Sequence, residues 1–392
     1  MKIKLNSCQQ KFLFLISITI IYILLVIWLD FLQGAYLWDE IHYWESSLVF
    51  SERLLPSIDD LKNYNELNTP LPFIVYGALE YLFGQGIFSG RLLNLILSLS
   101  IALIIGCPSR KKPGQPILCL IGLFLCPYFL FYSGRLYTDI IACFWTLIGV
   151  MSYVRNRHFI SSISFILAIA SRQYMLAFPA AILTYEFILA AKIMIRDRQI
   201  SLVKQWKWIA PLIAVLTIFG WIYLFQGLAP QTAIEIKNTP EVQKTIWAVT
   251  PGGIINFFAF VGFYIVIPEF ILFQPGAKLK TWKRQRRKIR LKISLFAGLL
   301  LLYFCIFPPL LEGLGIVIDI ADLLPKDFLK IFLFYCLSLL TCIRFSQFNL
   351  ISMMVLFNSA IAIKAYPWDK YVLPLAIVFW YFKSIKIDKI NS

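Results

Sequence analysis

Apolar runs recur along this chain at close to the length that crosses about 30 Å of hydrocarbon. They fall at 12–29, 87–107, 117–133, 138–154, 159–171, 173–194, 208–226, 252–273, 293–311, 328–343, 348–363 and 371–382. The pattern predicts an all-α, polytopic transmembrane protein of about twelve spans. Composition agrees: 59% of residues are hydrophobic and 15% charged, and no polar block is large enough to form a separate soluble domain. Residues 12–29 resemble a signal-peptide core, but the run is long for that role and no small-residue cleavage site follows, so a retained first span is expected.

The segment Pro70–Phe83, "PLPFIVYGALEYLF", is too short to span and reads as an interfacial helix, with Asn68 or Thr69 as its cap and Gly84 as its close. With a cytoplasmic N-terminus, that choice puts 26 of the 37 Lys and Arg residues inside, among them Arg110, Lys111, Lys112 and the basic run at 278–292. Counting Pro70–Phe83 as a span would turn the basic run outward, against the positive-inside rule. Carboxylates from Asp39 to Asp369 map mostly to the outer side. The net charge of +16 is thus a topology signal, and nucleic acid is not an expected partner. The eight cysteines lie in or beside apolar runs, without CxxC or zinc-type spacing.

Polar clusters collect at the predicted outer ends of the spans. The first is "LWDEIHYW", where Asp39 and Glu40 follow directly on the first span and open a long outer loop, 30–86. Ile41, Trp44 and Leu48 have helical spacing, so the two carboxylates sit at a helix start, one as N-cap and the other as a dipole-favoured first-turn residue, or one of them as a base. Adjacent helical residues point roughly 100° apart, so only one of the pair can address a given reacting atom. His42 is read as an interfacial polar residue, with a second base as the other possibility; His158 lies on the opposite side of the membrane.

The second cluster, "SGRLYTD", places Arg135 and Asp139 four residues apart in the turn between the third and fourth spans, either as a local ion pair or as part of a site. The third, "SRQY", sets Arg172 and Gln173 at the outer end of the fifth span, where an arginine is costly unless it snorkels or meets an anion. The fourth, "KAYPWDKYVLP", brings Lys364, Asp369, Lys370 and Tyr371 between the last two spans, with two cations suited to a phosphate. There is no GxxxxGK[ST] or GxGxxG motif for a nucleotide. Carboxylates and cations meeting at an outer leaflet suit a lipid-phosphate donor whose tail lies among the helices. Asp39 and Asp139 could also hold Mg²⁺ or Mn²⁺, two carboxylates being a weak signal for such an ion.

These residues resemble a family. A first span ending in Asp39-Glu40, a long outer loop, "NTPLPF", and "GRLLNLILSLS" entering the second span resemble the GT-C membrane glycosyltransferases. "YLWDEIHYWESS", "YTDIIACFW" and "SRQYMLAF" are similar in order to dolichyl-phosphate-glucose-dependent α-1,2-glucosyltransferases of N-glycan assembly, and more broadly to protein O-mannosyltransferases and aminoarabinose transferases. The resemblance implies a GT-C fold, with a catalytic membrane module at 1–226 and variable helices at 227–392. It implies transfer of a hexose-type sugar from a polyprenyl-phosphate donor to a lipid-linked glycan or other extracytoplasmic acceptor.

The resemblance implies that Asp39 is the catalytic base supported by Glu40, that Asp139 matches a second acidic residue near the donor, and that Arg172-Gln173 and the Tyr371 motif match the family's Arg-Gln pair and late-span start. Lys370 joins Arg172 as a cation suited to the donor phosphate by its charge, and Arg135 is a further donor-site candidate from its cluster with Asp139. The expected location is a bacterial-type inner membrane with an outward-facing site, or the endoplasmic reticulum in a eukaryote. A transporter or flippase of lipid-linked sugars is the alternative from another class. It would need ionisable residues along a path through the bilayer, and Glu186 and Glu269 are the ones placed to serve.

Overall fold

The computed structural model describes residues 7–108, 115–197, 202–237, 239–273 and 286–386. Basic residues 110–112 and 278–285, on which the topology partly rests, lie outside the described residues. Among the described residues the chain is helical throughout and has no strand, only an isolated parallel bridge between Leu314 and Trp368.

Each predicted span is occupied by helix, but their lengths differ. Among the described residues, four helical stretches are long and apolar enough to cross a bilayer: Ile87–Gly106, Gln173–Lys192, Trp206–Phe225 and Gly252–Phe273. The run at 117–133 is not straight. It forms two helices, Pro116–Phe124 and Pro127–Ser133, bent by 80°. Pro127 lacks the amide that would continue the helix and holds Cys126 extended, at φ −89° and ψ 101°. Other apolar helices are shorter, such as Thr138–Val154 and His158–Ser171. At 1.5 Å per residue the 12-residue helix Leu373–Ser384 covers only about 18 Å. It is buried along nearly its whole length, so the run at 371–382 faces other helices of the protein.

The core is continuous across position 226. Helix Leu373–Ser384 packs against Pro116–Phe124 and Thr138–Val154, and helix Leu350–Ile361 packs against Ala177–Asp197. Trp380, fully buried, stacks on Phe273 at 6.1 Å. Helix Gly252–Val261 lies along Asp327–Arg344, where Ser338 donates to the Ile255 carbonyl at 3.1 Å and Thr341 to that of Phe258 at 2.7 Å.

The helix Leu71–Phe83 forms, and Gly84 closes it in the left-handed region at φ 57°, where a side chain would be strained. Its start differs from the expected cap. Pro70 begins it, the Thr69 hydroxyl donates instead to Ile169 O at 2.8 Å, and Asn68 turns to Arg172. Tertiary partners have taken both polar side chains from the helix end.

Candidate active site

A cavity of about 1310 Å³ opens where the helix ends and connecting loops of both halves converge. It is lined by Asp39, His42, Glu66, Arg172, Gln173, Lys370 and Tyr371, with an apolar wall that includes Ile218, Trp221 and Ile222. Side chains from five separate stretches of sequence therefore face one space.

Asp39 precedes helix Glu40–Val49 in the N-cap position, yet its side chain makes no capping bond. Trp38 turns the chain through the left-handed region at φ 53°, a costly conformation for so large a residue, and its ring rests 5.2 Å from Phe131. The Asp39 carboxylate is left 38% exposed to the cavity, with Oδ2 4.0 Å from Lys370 Nζ.

Glu40 points elsewhere, as the angle between adjacent helical residues requires. It is fully buried and absent from the cavity lining. Arg91 donates to it from Nε at 3.0 Å and Nη2 at 2.9 Å, and the amides of Leu37 and Leu136 donate at 3.1 and 2.7 Å. With Arg91 it anchors the turn that carries Asp39. Arg91 also donates to the carbonyls of Leu32, Gly34 and Ala35, fixing the approach to that turn. One turn along the same helix, Asn94 gathers the carbonyls of Arg135 and Tyr137 at 2.6 and 2.9 Å. Neither residue was singled out from sequence, although a charge inside an apolar run is a signal in itself.

Arg172 is 3% exposed and lines the cavity. Its Nη2 donates to Asp139 Oδ2 at 2.6 Å and its Nη1 to Asn68 Oδ1 at 3.1 Å, while Nε has no partner among the described residues. Tyr174 donates to the other Asp139 oxygen at 3.0 Å. Asp139 thus holds Arg172 in place from behind and does not itself reach the cavity. The expected local pair of Arg135 with Asp139 does not form, because Asp139 starts a helix at Thr138 whereas Arg135 lies in the turn before it. Arg135, expected beside the donor, does not line this cavity. With both Asp139 oxygens engaged, Asp39 and Asp139 do not converge on a cation, and no group of three candidate ligands occurs among the described residues.

Gln173 faces the cavity and ties its rim by donating to the carbonyls of Leu67 and Leu228 at 2.8 and 3.3 Å. His42 lies at the cavity with Nδ1 3.6 Å from Glu45, well exposed. Glu66, missed from sequence, is a second carboxylate of the lining and pairs with Lys237. Burial pushes the Glu66 carboxyl upward, and the nearby Lys237 ammonium opposes the shift.

Lys370 is 2% exposed, its ammonium 3.2 Å above the Trp368 ring centre. Burial pulls its pKa down to about 8, against the neighbouring carboxylates. The other cation of that cluster, Lys364, is spent on the carbonyls of Thr245, Ile246 and Ala248, so it is not available to a phosphate.

Asp369 anchors the Lys370 turn. It accepts from Tyr128, from Tyr264 at 2.6 Å and from the Val317 amide at 3.1 Å. Gly315 packs over it at φ 109°, and a Cβ there would fall 1.7 Å from Asp369 Oδ1. Gly315→Ala is therefore expected to destabilise the fold by about 1–3 kcal/mol and to displace Lys370. Thermal unfolding of the purified variant checks the first effect, and an experimental structure of the variant the second.

Compared with protein families, curated proteins and solved structures, the chain matches none.

Proposed function

We propose that the chain is an integral membrane glycosyltransferase of GT-C type, with about twelve helical passes and its cavity on the outer face. It moves a hexose-type sugar from a polyprenyl-phosphate donor to a lipid-linked glycan or other extracytoplasmic acceptor. The observation that carries the reading is the meeting of Asp39, Arg172 and Lys370 in one cavity, with the carboxylate uncapped and the two cations buried. Its volume exceeds that of ordinary small-molecule pockets, which suits two substrates and the head of a lipid tail. The segments around it are those the charge bias assigns to the outer side. Arg344 and Lys383, which the charge bias places on the inner side, meet Glu269 in a separate ion-paired cluster.

In the proposed step Asp39 takes the proton from the acceptor hydroxyl as that oxygen bonds to the anomeric carbon. The bond from that carbon to the phosphate oxygen breaks, and its electron pair leaves with the polyprenyl phosphate. Negative charge growing on the phosphate is met by Lys370 and Arg172, both held before the reaction and so needing little rearrangement. The apolar wall receives the first part of the isoprenoid chain. Transfer of radiolabelled sugar from polyprenyl-phosphate donors, in membranes holding the protein, tests the reading. Movement of the donor across proteoliposomes without a new glycosidic bond would replace it with flippase activity. Against that alternative, Glu186 pairs with Tyr153, and Glu269 with Arg344 and Lys383, so neither carboxylate stands free along a path.

Lys370 makes donor binding sensitive to pH. Its ammonium is charged below about 8 and neutral above, so attraction for the phosphate is full at lower pH and fades as pH rises through that value. Donor KM is expected to rise above pH 8, and Lys370→Arg to flatten the rise, because a guanidinium stays charged. A KM profile that rises identically in both proteins would remove Lys370 from the donor site.

A further inference from the structure

Arg135 is left unused by the large cavity. It lines a second cavity of about 160 Å³, which shares no lining residue with the first and whose walls include Trp28, Asp30, Leu37, Arg91 and the Arg91-paired Glu40. Arg135 is 5% exposed, and its Nε and Nη1 are buried without hydrogen-bond partners among the described residues. The carboxylates near it in sequence and space are committed elsewhere, Glu40 to Arg91 and Asp139 to Arg172. The Phe131 ring at 4.0 Å and the Trp28 ring at 5.3 Å offset only part of the cost of burying that charge. Arg91, alongside, is saturated by Glu40 and three carbonyls. Glu40 offsets part of the Arg135 charge across the cavity, but the guanidinium keeps donors with no acceptor among the described residues.

Asp30, exposed, supplies the opposite sign on the same cavity. It begins a run of three consecutive left-handed residues, Asp30, Phe31 and Leu32, at φ 49°, 51° and 65°. Non-glycine residues seldom adopt that conformation in succession, and strain of this kind gathers where a side chain must be presented. The cavity also has a defined depth. Trp28 ends the first apolar helix and Arg135 lies in the turn before Thr138–Val154, so both stand at helix ends. In a membrane-spanning chain, the part of the reading above on which this step relies, that is the level of the lipid headgroups.

We infer that this cavity binds a phospholipid headgroup, with the phosphodiester on Arg135 and an ammonium group on Asp30 against the Trp28 ring. The pairing favours a zwitterionic aminophospholipid over a purely anionic one. The phosphodiester satisfies the guanidinium by charge-assisted hydrogen bonds, and the ammonium finds both a carboxylate and an aromatic face.

The test titrates the full chain in detergent with short-chain phosphatidylethanolamine, with phosphatidylglycerol of the same chain length, and with inorganic phosphate, reading bound lipid by native mass spectrometry. Wild type is expected to prefer phosphatidylethanolamine. Arg135→Gln should weaken both lipids by about tenfold, and Asp30→Asn should abolish the preference while sparing phosphatidylglycerol. Inorganic phosphate binding as tightly as the lipids, or lipid affinities unchanged in Arg135→Gln, overturns the assignment. Should Arg135→Gln fail to fold, the exposed Asp30→Asn decides, since a retained preference for phosphatidylethanolamine in that variant equally overturns it. None of these readouts requires sugar transfer, so the inference stands or falls apart from the proposed catalytic activity.

Discussion

Replacing Asp39 by Asn is expected to lower sugar transfer by about 10²–10⁴-fold while stability changes by no more than about 0.5 kcal/mol. The two expectations come from the same geometry. The carboxylate is partly exposed, makes no capping bond, and has Lys370 at 4.0 Å as its cationic neighbour. An amide of equal shape fits the same place but cannot take a proton from the acceptor. Rates in membranes set against thermal unfolding of the purified variant separate the two effects. A variant that folds and turns over normally removes Asp39 as the base and with it the proposed mechanism.

Glu40→Ala should behave in the opposite way. It strips the partner from a buried guanidinium, and breaking a buried ion pair on one side costs about 3–5 kcal/mol. The amides of Leu37 and Leu136 lose their acceptor as well. Any loss of transfer should then follow the loss of folded protein. Replacing both partners, as in Glu40→Leu with Arg91→Met, should recover much of the stability, because no lone charge stays buried. Thermal unfolding of both single variants and the double variant measures this coupling. A Glu40→Ala protein as stable as wild type would show that Arg91 is adequately held by backbone carbonyls alone. A Glu40→Gln protein that is stable yet inactive would restore Glu40 to a direct part in the reaction.

The positions of the helices were legible in the sequence because hydrophobic patterning is a local property. Thr138–Val154 and Gly252–Phe273 match the apolar runs end to end. Even the bend within 117–133 has a local cause in Pro127, although its 80° angle does not. The clusters on Asp39, Arg172 and Lys370 were legible too, since charge is expensive near lipid and stands out against an apolar background.

What only the tertiary structure decided is which charges face one another. Sequence proximity paired Arg135 with Asp139, but the i,i+4 rule holds only within one helix, and the intervening turn broke it. Arg172, brought in by a different helix, took the carboxylate instead. Glu40 and Asp39 are neighbours in the chain, yet Arg91 captured one and left the other facing open space. Side-chain pairing across a bundle depends on how helices rotate and pack, and that is fixed by contacts between residues far apart in the chain, which no local pattern encodes.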